Sequence, residues 1–239
     1  MRCVIITRTK WDSADRLWEI THPRIKEYAN KCRADFLVLD ENSRFVKWLR
    51  DRCRLSPKAA AMYSVFITKE LLKTYDRVMN LDTDILIRSD CPNLFEIVPE
   101  DVFGCVYTDV PSKLHLRVPE MLAIQHQFGW LNWTHDYFNG GMWIAGKIHQ
   151  SLFEPIGNRF WIGQYLEQTH LNYQVKRLGF RVCPLSFRFN HIPPFSEPWN
   201  GGHNRFDSYI IHYQGEGCFP DKGKRTLRQI VEDDARVFP

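Results

Sequence analysis

The sequence lacks the features that mark several large classes of protein. It has no apolar run of about 18 residues, the length that a membrane-spanning helix needs, and the apolar part of its N-terminal segment MRCVIITRTKW is too short for a secretory signal. Its Lys and Arg residues are spread along the chain, so no basic block indicates a nucleic-acid or membrane surface. We therefore expect a cytoplasmic protein that has no transmembrane segment and binds no nucleic acid.

The cysteines do not have the spacing that is typical of disulfide frameworks or zinc sites. The seven cysteines include no CxxC pair and their number is odd, so neither a disulfide framework nor a zinc site is predicted. The chain has 239 residues, of which 44% are hydrophobic, and this is enough for one domain with a large core. We expect a single domain over residues 1–239, and its net charge of +4 suits an anionic small molecule.

Strand and helix signals alternate along the first part of the chain. Short apolar runs predict buried strands, and Ser56 with Pro57 is typical of a helix start. These elements are expected in turn at 3–7 (strand), 13–32 (helix), 35–40 (strand), 56–75 (helix) and 77–81 (strand). The alternation predicts an α/β fold, in which helices flank a Rossmann-like, mostly parallel central sheet with right-handed crossovers.

The rest of the chain is less regular. Residues 110–136 are rich in polar and aromatic side chains and predict a surface excursion with a short helix, and YFNGGMWIAG (137–146) predicts a Gly-Gly turn beside an apolar strand. The remaining expected elements are a strand at 102–109, a helix at 160–178, a strand at 180–185, a Pro/Gly-rich loop at 190–204, a strand at 208–213 and a helix at 224–238.

Two carboxylates, Asp82 and Asp84, directly follow the predicted strand 77–81 and precede a second apolar run, 85–87. Ligands of open parallel sheets bind beyond the carboxyl ends of strands. Two carboxylates two residues apart in an extended chain lie on the same side and repel each other unless a cation lies near them. Mg²⁺ and Mn²⁺ prefer such oxygens, and Mn²⁺ also accepts an imidazole. This segment therefore predicts a divalent metal site.

The segment YDRVMNLDTDILI resembles the DxD segment of family-eight glycosyltransferases, the group that includes glycogenin and bacterial lipopolysaccharide galactosyl- and glucosyltransferases. Five further segments occur in the family's order. SPKAAAMY is similar to its donor-facing helix start, YFNGGMWI to its FNxG strand and LEQTHLN to its DQxxLN helix. CPLSFRFN is similar to its LPxxxN strand and IIHYQGEGCFPDKGK to its HFxGxxKPW ending. The resemblance covers roughly residues 75–225. It implies a GT-A fold and a retaining, metal-dependent transfer of a hexose, glucose or galactose, from a UDP-sugar to a hydroxyl acceptor such as a glycan. The implied metal is Mn²⁺ or Mg²⁺.

The resemblance also implies roles for single residues. The implied metal ligands are Asp82, Asp84 and His212. The implied catalytic residues are Gln168, Glu167 and Asn139. The implied donor-binding residues are Thr7, Arg8, Thr9, Lys58, Asp82, Thr83, Gly141, Gly215 and either Lys222 or Lys224. An amide such as that of Gln168 is a poor nucleophile, which favours a front-side displacement, and Glu167 is the carboxylate to examine if a covalent intermediate forms instead.

Two places depart from the family pattern. Glu167 stands where the family has Asp, so its carboxylate is one methylene further from the backbone, and this leaves the preferred sugar open. The ending lacks Lys-Pro-Trp at the usual distance, and Lys222 and Lys224 come later. Each of the two could contact the donor phosphates.

Each of two further segments can be interpreted either as functional or as an ordinary structural part of the fold. The aromatic stretch of Trp130, Trp133, His135 and Tyr137 would suit a platform on which an acceptor sugar stacks, but aromatic residues more often belong to the core. The Pro/Gly-rich segment 193–206 has the composition of a lid and equally that of a surface loop.

Three alternative functions share parts of this pattern. A haloacid-dehalogenase-like phosphatase also places DxD after an apolar strand, and EDDAR (232–236) would be its late acidic pair, but Leu86 stands where it has Thr or Val. A sugar-1-phosphate nucleotidyltransferase needs a Gly-rich phosphate loop after its first strand, and TRTKWDSADR contains no glycine. An inactive nucleotide-sugar-binding module is the third alternative.

Overall fold

Eight β-strands and six α-helices make up the part of the chain that this computed structural model describes, namely residues 1–9, 17–40, 62–108, 114–193, 203–214 and 225–237. The strands are β1 (Cys3–Thr9), β2 (Asp35–Asp40), β3 (Arg77–Leu81), β4 (Ile85–Ile87), β5 (Phe103–Tyr107), β6 (Phe138–Gly146), β7 (Val182–Pro184) and β8 (Ile210–His212). The helices are α1 (Trp18–Lys31), α2 (Tyr63–Leu71), α3 (Leu94–Ile97), α4 (Leu114–Phe128), α5 (Leu166–Leu178) and α6 (Arg225–Val237).

Six strands form the central sheet in the order β2-β1-β3-β6-β5-β7. β1 pairs in parallel with both β2 and β3, and β5 pairs in parallel with β7. β6 lies between β3 and β5 and is antiparallel to both. The short strands β4 and β8 form a separate antiparallel ribbon. The predicted α/β fold with a mostly parallel central sheet is therefore confirmed.

Alternate residues of β1 reach two different hydrophobic cores, because successive side chains of a strand point to opposite faces of the sheet. Cys3 and Ile5 pack in one core with apolar residues of α1, whereas Val4 and Ile6 pack in the other with residues of α2 and α5. Both faces of the sheet are thus covered by helices, and this explains why the inner strands are nearly continuous apolar runs.

The 137–146 segment differs from its prediction. Gly140 and Gly141 lie inside β6 and are buried, so they form no turn. The start of this strand is fixed by α5, where the side-chain amide of Asn172 donates to the carbonyl of Phe138 (2.9 Å) and accepts from the amide of Phe138 (2.8 Å). A pair of glycines gives no local signal that separates a turn from a strand into which other groups pack closely.

Several predicted elements keep their type but change their limits. The excursion at 110–136 contains a helix of 15 residues, α4, which is longer than the short helix expected. α5 begins at Leu166 instead of near residue 160, and Leu166 has a φ of 23°, an unusual value for a residue with a side chain. Of the helix expected at 56–75, residues 56–61 lie outside the described part, as do residues 13–16 of the helix expected at 13–32.

Within the described residues, no helix combines the length and the apolar character that crossing a bilayer requires. The five cysteines in this part of the chain, Cys3, Cys32, Cys91, Cys105 and Cys183, are free thiols.

Candidate active site

Asp82 and Asp84 lie in the tight turn that joins β3 to β4. The residue between them, Thr83, fixes this turn to α1. The hydroxyl of Thr21 donates to the carbonyl of Thr83 (2.6 Å), and Nε2 of His22 lies 3.1 Å from the Thr83 hydroxyl. The amide of Asp82 donates to the carbonyl of Gly141 in β6 (2.8 Å). The turn is therefore held from both sides, and Thr83 acts here as a buried structural anchor.

The ribbon of β4 and β8 brings His212 to the two aspartates. His212 pairs with Ile85 across the ribbon, and the next amide, that of Tyr213, donates to the carbonyl of Asp84 (2.9 Å). Nε2 of His212 lies 3.3 Å from Oδ1 of Asp84 and 3.7 Å from Oδ2 of Asp82. One oxygen of each aspartate and one nitrogen of His212 all lie within 4.8 Å of one another. The three side chains predicted as metal ligands thus meet at one point.

A chain of side-chain amides sets the orientation of the His212 ring. The backbone amide of Gly141 donates to Oδ1 of Asn139 (2.9 Å), so this atom is an oxygen, and Oδ1 of Asn139 also accepts from Nδ2 of Asn190 (3.0 Å). Oδ1 of Asn190 is then the atom 2.9 Å from Nδ1 of His212. Because that oxygen can only accept, Nδ1 of His212 carries a proton, and Nε2 is the ring nitrogen that faces the carboxylates.

This arrangement fits a divalent cation. Two carboxylates this close together repel each other unless positive charge lies between them, and Nε2 of His212 faces the same point. Two carboxylate oxygens and an imidazole nitrogen form a donor set that Mn²⁺ accepts well. Gly141 leaves the space that the ligands occupy, because a Cβ atom there would lie 2.3 Å from Cε1 of His212 and 2.9 Å from Oδ2 of Asp82.

A cleft of about 200 Å³ has one of the three candidate ligands, Asp82, in its lining. Its lining residues come from the β3–β4 turn, β6, the start of α5 and the segment after β8: Asp82, Asn139, Gly140, Gly141, Gln164, Tyr165, Leu166, Glu167, Gln168 and Gln214. The predicted catalytic residues Asn139, Glu167 and Gln168 all belong to this lining. The resemblance and the geometry therefore indicate the same cavity.

Gln168 and Asn139 are held rigidly in this cleft. Oε1 of Gln168 accepts from the amide of Gly140 (2.8 Å) and from Nδ2 of Asn139 (3.1 Å), and Nδ2 of Asn139 also donates to Gln214 (3.2 Å). Gln168 is largely buried, whereas Glu167 is half-buried. Of the two, Glu167 is thus the more accessible to a ligand.

The residues predicted to bind the donor differ in their distance from the site. The guanidinium of Arg8 lies 3.3 Å from Oδ1 of Asp82, next to the metal ligands. Thr7 and Thr9 are buried in the sheet, and Thr9 bonds to the carbonyl of Leu39 (3.4 Å). Four further residues predicted to contact the donor lie outside the described residues: Lys58, Gly215, Lys222 and Lys224.

The aromatic stretch divides into core and surface. The rings of Trp133 and Tyr137 are buried and stacked, with centroids 5.8 Å apart. Trp130 and His135 are exposed, so only these two are accessible to an acceptor. Residues 194–202 of the expected lid lie outside the described part of the chain.

Two groups near the site were not assigned roles from the sequence. Asn190 orients His212, and Gln214 bonds to Asn139. Asn190 ends a quoted family-like segment, CPLSFRFN, so a signal was present, but the sequence alone does not show which partner it would contact. Gln214 lies in the family-like segment IIHYQGEGCFPDKGK, but at a position that the HFxGxxKPW pattern leaves variable, so the pattern gave it no role.

Neither known protein-family models nor curated proteins match this sequence. Solved structures do resemble it. One is a glycosyltransferase involved in the glycosylation of the major capsid of PBCV-1, with a TM-score of 0.64 and 11% identity over 97% of this chain and 100% of the other. The chain has the GT-A fold. A second is apo mouse xyloside xylosyltransferase 1, with a TM-score of 0.53 and 13% identity over 92% of this chain and 99% of the other. At these identities the likeness is one of fold, and the function must be argued from the site.

Proposed function

We propose that this GT-A protein is a metal-dependent retaining glycosyltransferase that moves a hexose, glucose or galactose, from a UDP-sugar to a hydroxyl acceptor such as a glycan. The observation that supports the proposal most strongly is the meeting of Asp82, Asp84 and His212 beside a cleft lined by Asn139 and Gln168. These residues lie far apart in the sequence, and the family-eight resemblance assigns all of them to one reaction.

The chain's own residues suggest how the site would work. A cation held by Asp82, Asp84 and His212, Mn²⁺ or Mg²⁺, would stabilise the negative charge that develops on the leaving diphosphate. Arg8 places a second positive group beside Asp82. The amide of Gln168 is fixed by the backbone donor of Gly140, so its Nε2 can donate to a sugar hydroxyl without reorganising, whereas both hydrogens of the Asn139 amide are already donated, to Gln168 and Gln214. The buried amide of Gln168 supports front-side displacement over attack by this residue.

The phosphatase alternative finds no support at the site. Its required late acidic pair would be Asp233 and Asp234, but Asp233 bonds to Arg205 and Tyr213, and Asp234 bonds to Arg24. Both carboxylates are thus occupied in fixing α6. An inactive nucleotide-sugar-binding module would have the same fold and metal ligands, so only an assay of turnover separates it from the transferase.

The decisive experiment is a calorimetric titration of UDP and of GDP into the protein, with Mn²⁺ and with EDTA. We expect UDP to bind only with the metal. In Asp84→Ala, metal-dependent binding should weaken by more than about a hundredfold, because loss of a residue that merely orients a ligand already costs 10- to 100-fold. Asp101→Ala is the matched control, since this carboxylate is exposed and pairs with Arg181 outside the cleft.

Turnover is then measured by release of UDP from UDP-glucose and UDP-galactose, with and without Mn²⁺. Metal-dependent release supports an enzyme, whereas UDP binding without any release supports the inactive module. Absence of nucleotide binding under every condition would contradict the proposal. A sugar trapped covalently on the wild-type protein would contradict the front-side mechanism alone and would direct attention to Glu167.

A further inference from the structure

A buried arginine, Arg117, lies beside the candidate sugar cleft. It is in the first turn of α4, only 2% of its surface is exposed, and its guanidinium carbon lies 4.3 Å from the centre of the Tyr165 ring and 5.2 Å from that of Tyr137. Arg117 itself is not among the lining residues, but Tyr165 is, so the Tyr165 ring contacts both the guanidinium and the cavity. The mechanism proposed above makes no use of this cation.

The described residues leave Arg117 without polar partners. Its Nε and Nη1 atoms are buried and make no hydrogen bond to the described residues. The two aromatic rings attract the positive charge but offer no acceptor in the plane of the guanidinium. A buried charge without hydrogen bonds is costly, so an anion that completes these bonds would bind favourably.

Glu120, one turn further along α4, does not fill this role. Its Oε2 accepts from Nε1 of Trp161 (2.9 Å) and from the hydroxyl of Thr169 (3.1 Å), and its Oε1 accepts from the amide of Gln164 (2.5 Å). All of these donors are neutral, and they fix the segment that leads into α5. Glu120 therefore shapes the wall of the cleft, and the fork of Arg117 is left for another acceptor.

We propose that Arg117 recognises an acidic group, a carboxylate or a phosphate, on a sugar that enters this cleft. The planar guanidinium can bond to two oxygens of such a group at once, and the Tyr165 ring holds it in position while offering the sugar an apolar surface. The inference rests on the proposed function, because it assigns a substrate class to the same cleft. The acidic group can belong either to the donor sugar or to the acceptor.

The experiment compares acidic sugars with neutral sugars of the same size in the presence of Mn²⁺. The donor arm titrates UDP-glucuronate against UDP-glucose by calorimetry. The acceptor arm measures methyl glucuronide against methyl glucoside by saturation-transfer NMR with UDP bound. We expect the acidic sugar of one arm to bind about tenfold tighter or more, as a buried charge-assisted hydrogen bond would provide.

Arg117→Met keeps most of the packing volume and removes the donors. It should abolish the acid preference and change binding of the neutral sugar by less than about twofold. Arg177→Met is the matched control, because Arg177 is exposed on α5 and away from the cleft lining. If the methionine variant fails to fold, Arg117→Lys tests the inference instead. It keeps the charge but loses the planar guanidinium, so the preference for the acidic sugar should fall at least about threefold.

Two results would overturn the inference: no acid preference in either arm, or a preference that the Arg117 variants leave unchanged. UDP binding with Mn²⁺ is measured in the same samples. If the wild-type protein does not bind UDP, the proposed glycosyl transfer is contradicted. If it binds UDP but shows no preference for acidic sugars, only the role proposed for Arg117 is contradicted.

Discussion

At the scale of single residues, the candidate metal ligand His212 is oriented by groups that carry no charge. The backbone amide of Gly140 fixes the side chain of Gln168, and that of Gly141 fixes the side chain of Asn139. Asn139 in turn orients Asn190, and Asn190 orients the ring of His212. The direction of each amide follows from a backbone N–H, which can only donate. The ring of His212 is therefore already oriented with Nε2 toward the two aspartates, as a metal ligand needs.

Gly141→Ala should damage the metal site while the fold persists. The added Cβ would lie 2.3 Å from Cε1 of His212, so either β6 or the imidazole must move. We expect Mn²⁺ affinity, measured by calorimetry, to fall by about tenfold or more, in line with changes to groups that orient metal ligands. The thermal unfolding midpoint should drop by only a few degrees, as for other small-to-large changes that cost about 1–3 kcal/mol.

Gly140→Ala is the matched control for this change. It lies in the same strand, but its Cβ would meet Gln168, with 3.1 Å to Cβ of that residue. It should affect packing against α5 and leave Mn²⁺ affinity within about threefold of the wild-type value. Equal losses of metal affinity in both variants would show that Gly141 acts through strand stability and not through the space beside His212.

At the scale of elements, the C-terminal helix α6 stabilises the strand that carries His212. The carboxylate of Asp233 is buried and accepts from Nε of Arg205 (2.7 Å), from the hydroxyl of Tyr213 (2.7 Å) and from Nε2 of Gln229 (2.8 Å). Tyr213 directly follows His212, so this cluster fixes the end of β8. The acidic pair that could have indicated a phosphatase is thus part of the scaffold.

Asp233→Asn should therefore be strongly destabilising. It leaves the charge of Arg205 partly buried without its ion-pair partner, and breaking a buried pair in this way costs about 3–5 kcal/mol. Asp234→Asn is the control, because its pair with Arg24 is more exposed and should contribute about 1 kcal/mol or less. Urea unfolding of both variants measures the difference. Similar losses would show that Asp233 is not the residue that fixes β8.

The types of most elements could be predicted from the sequence, because strands such as 77–81 are short apolar runs and helices have their own spacing. The direction of β6 could not, since the side chains of a strand alternate in the same way whether its neighbours are parallel or antiparallel. At the site, the family-like segments predicted Asp82, Asp84 and His212 as metal ligands, and the structure brings these three side chains together. Arg117 could not be predicted, because the argument for it depends on a buried guanidinium without hydrogen bonds to the described residues, and this is visible only in the packed structure.

At the scale of the whole molecule, acid should destabilise the fold through three buried histidines on different elements. Burial lowers the pKa of His149, His170 and His191 to about 4, from an ordinary value of 6.5. The neutral form of His149 is also required by its contacts, because its Nδ1 accepts the amide of Gly146 (2.9 Å). The unfolded chain binds protons at these residues below about pH 6.5, whereas the folded chain does so only near pH 4.

The free energy of unfolding should therefore be fully retained at pH 7 and fall as the pH is lowered from 6.5 toward 4. At pH 5 the loss is about 2 kcal/mol for each histidine, since one pKa unit corresponds to about 1.4 kcal/mol. Urea unfolding at pH 7, 6 and 5 measures this slope. His149→Gln should reduce it by about a third, and His126→Gln, which replaces an exposed histidine of α4, should leave it unchanged. A free energy that stays constant down to pH 5 would mean that the three imidazoles are protonated in the folded protein, with His149 no longer accepting from Gly146.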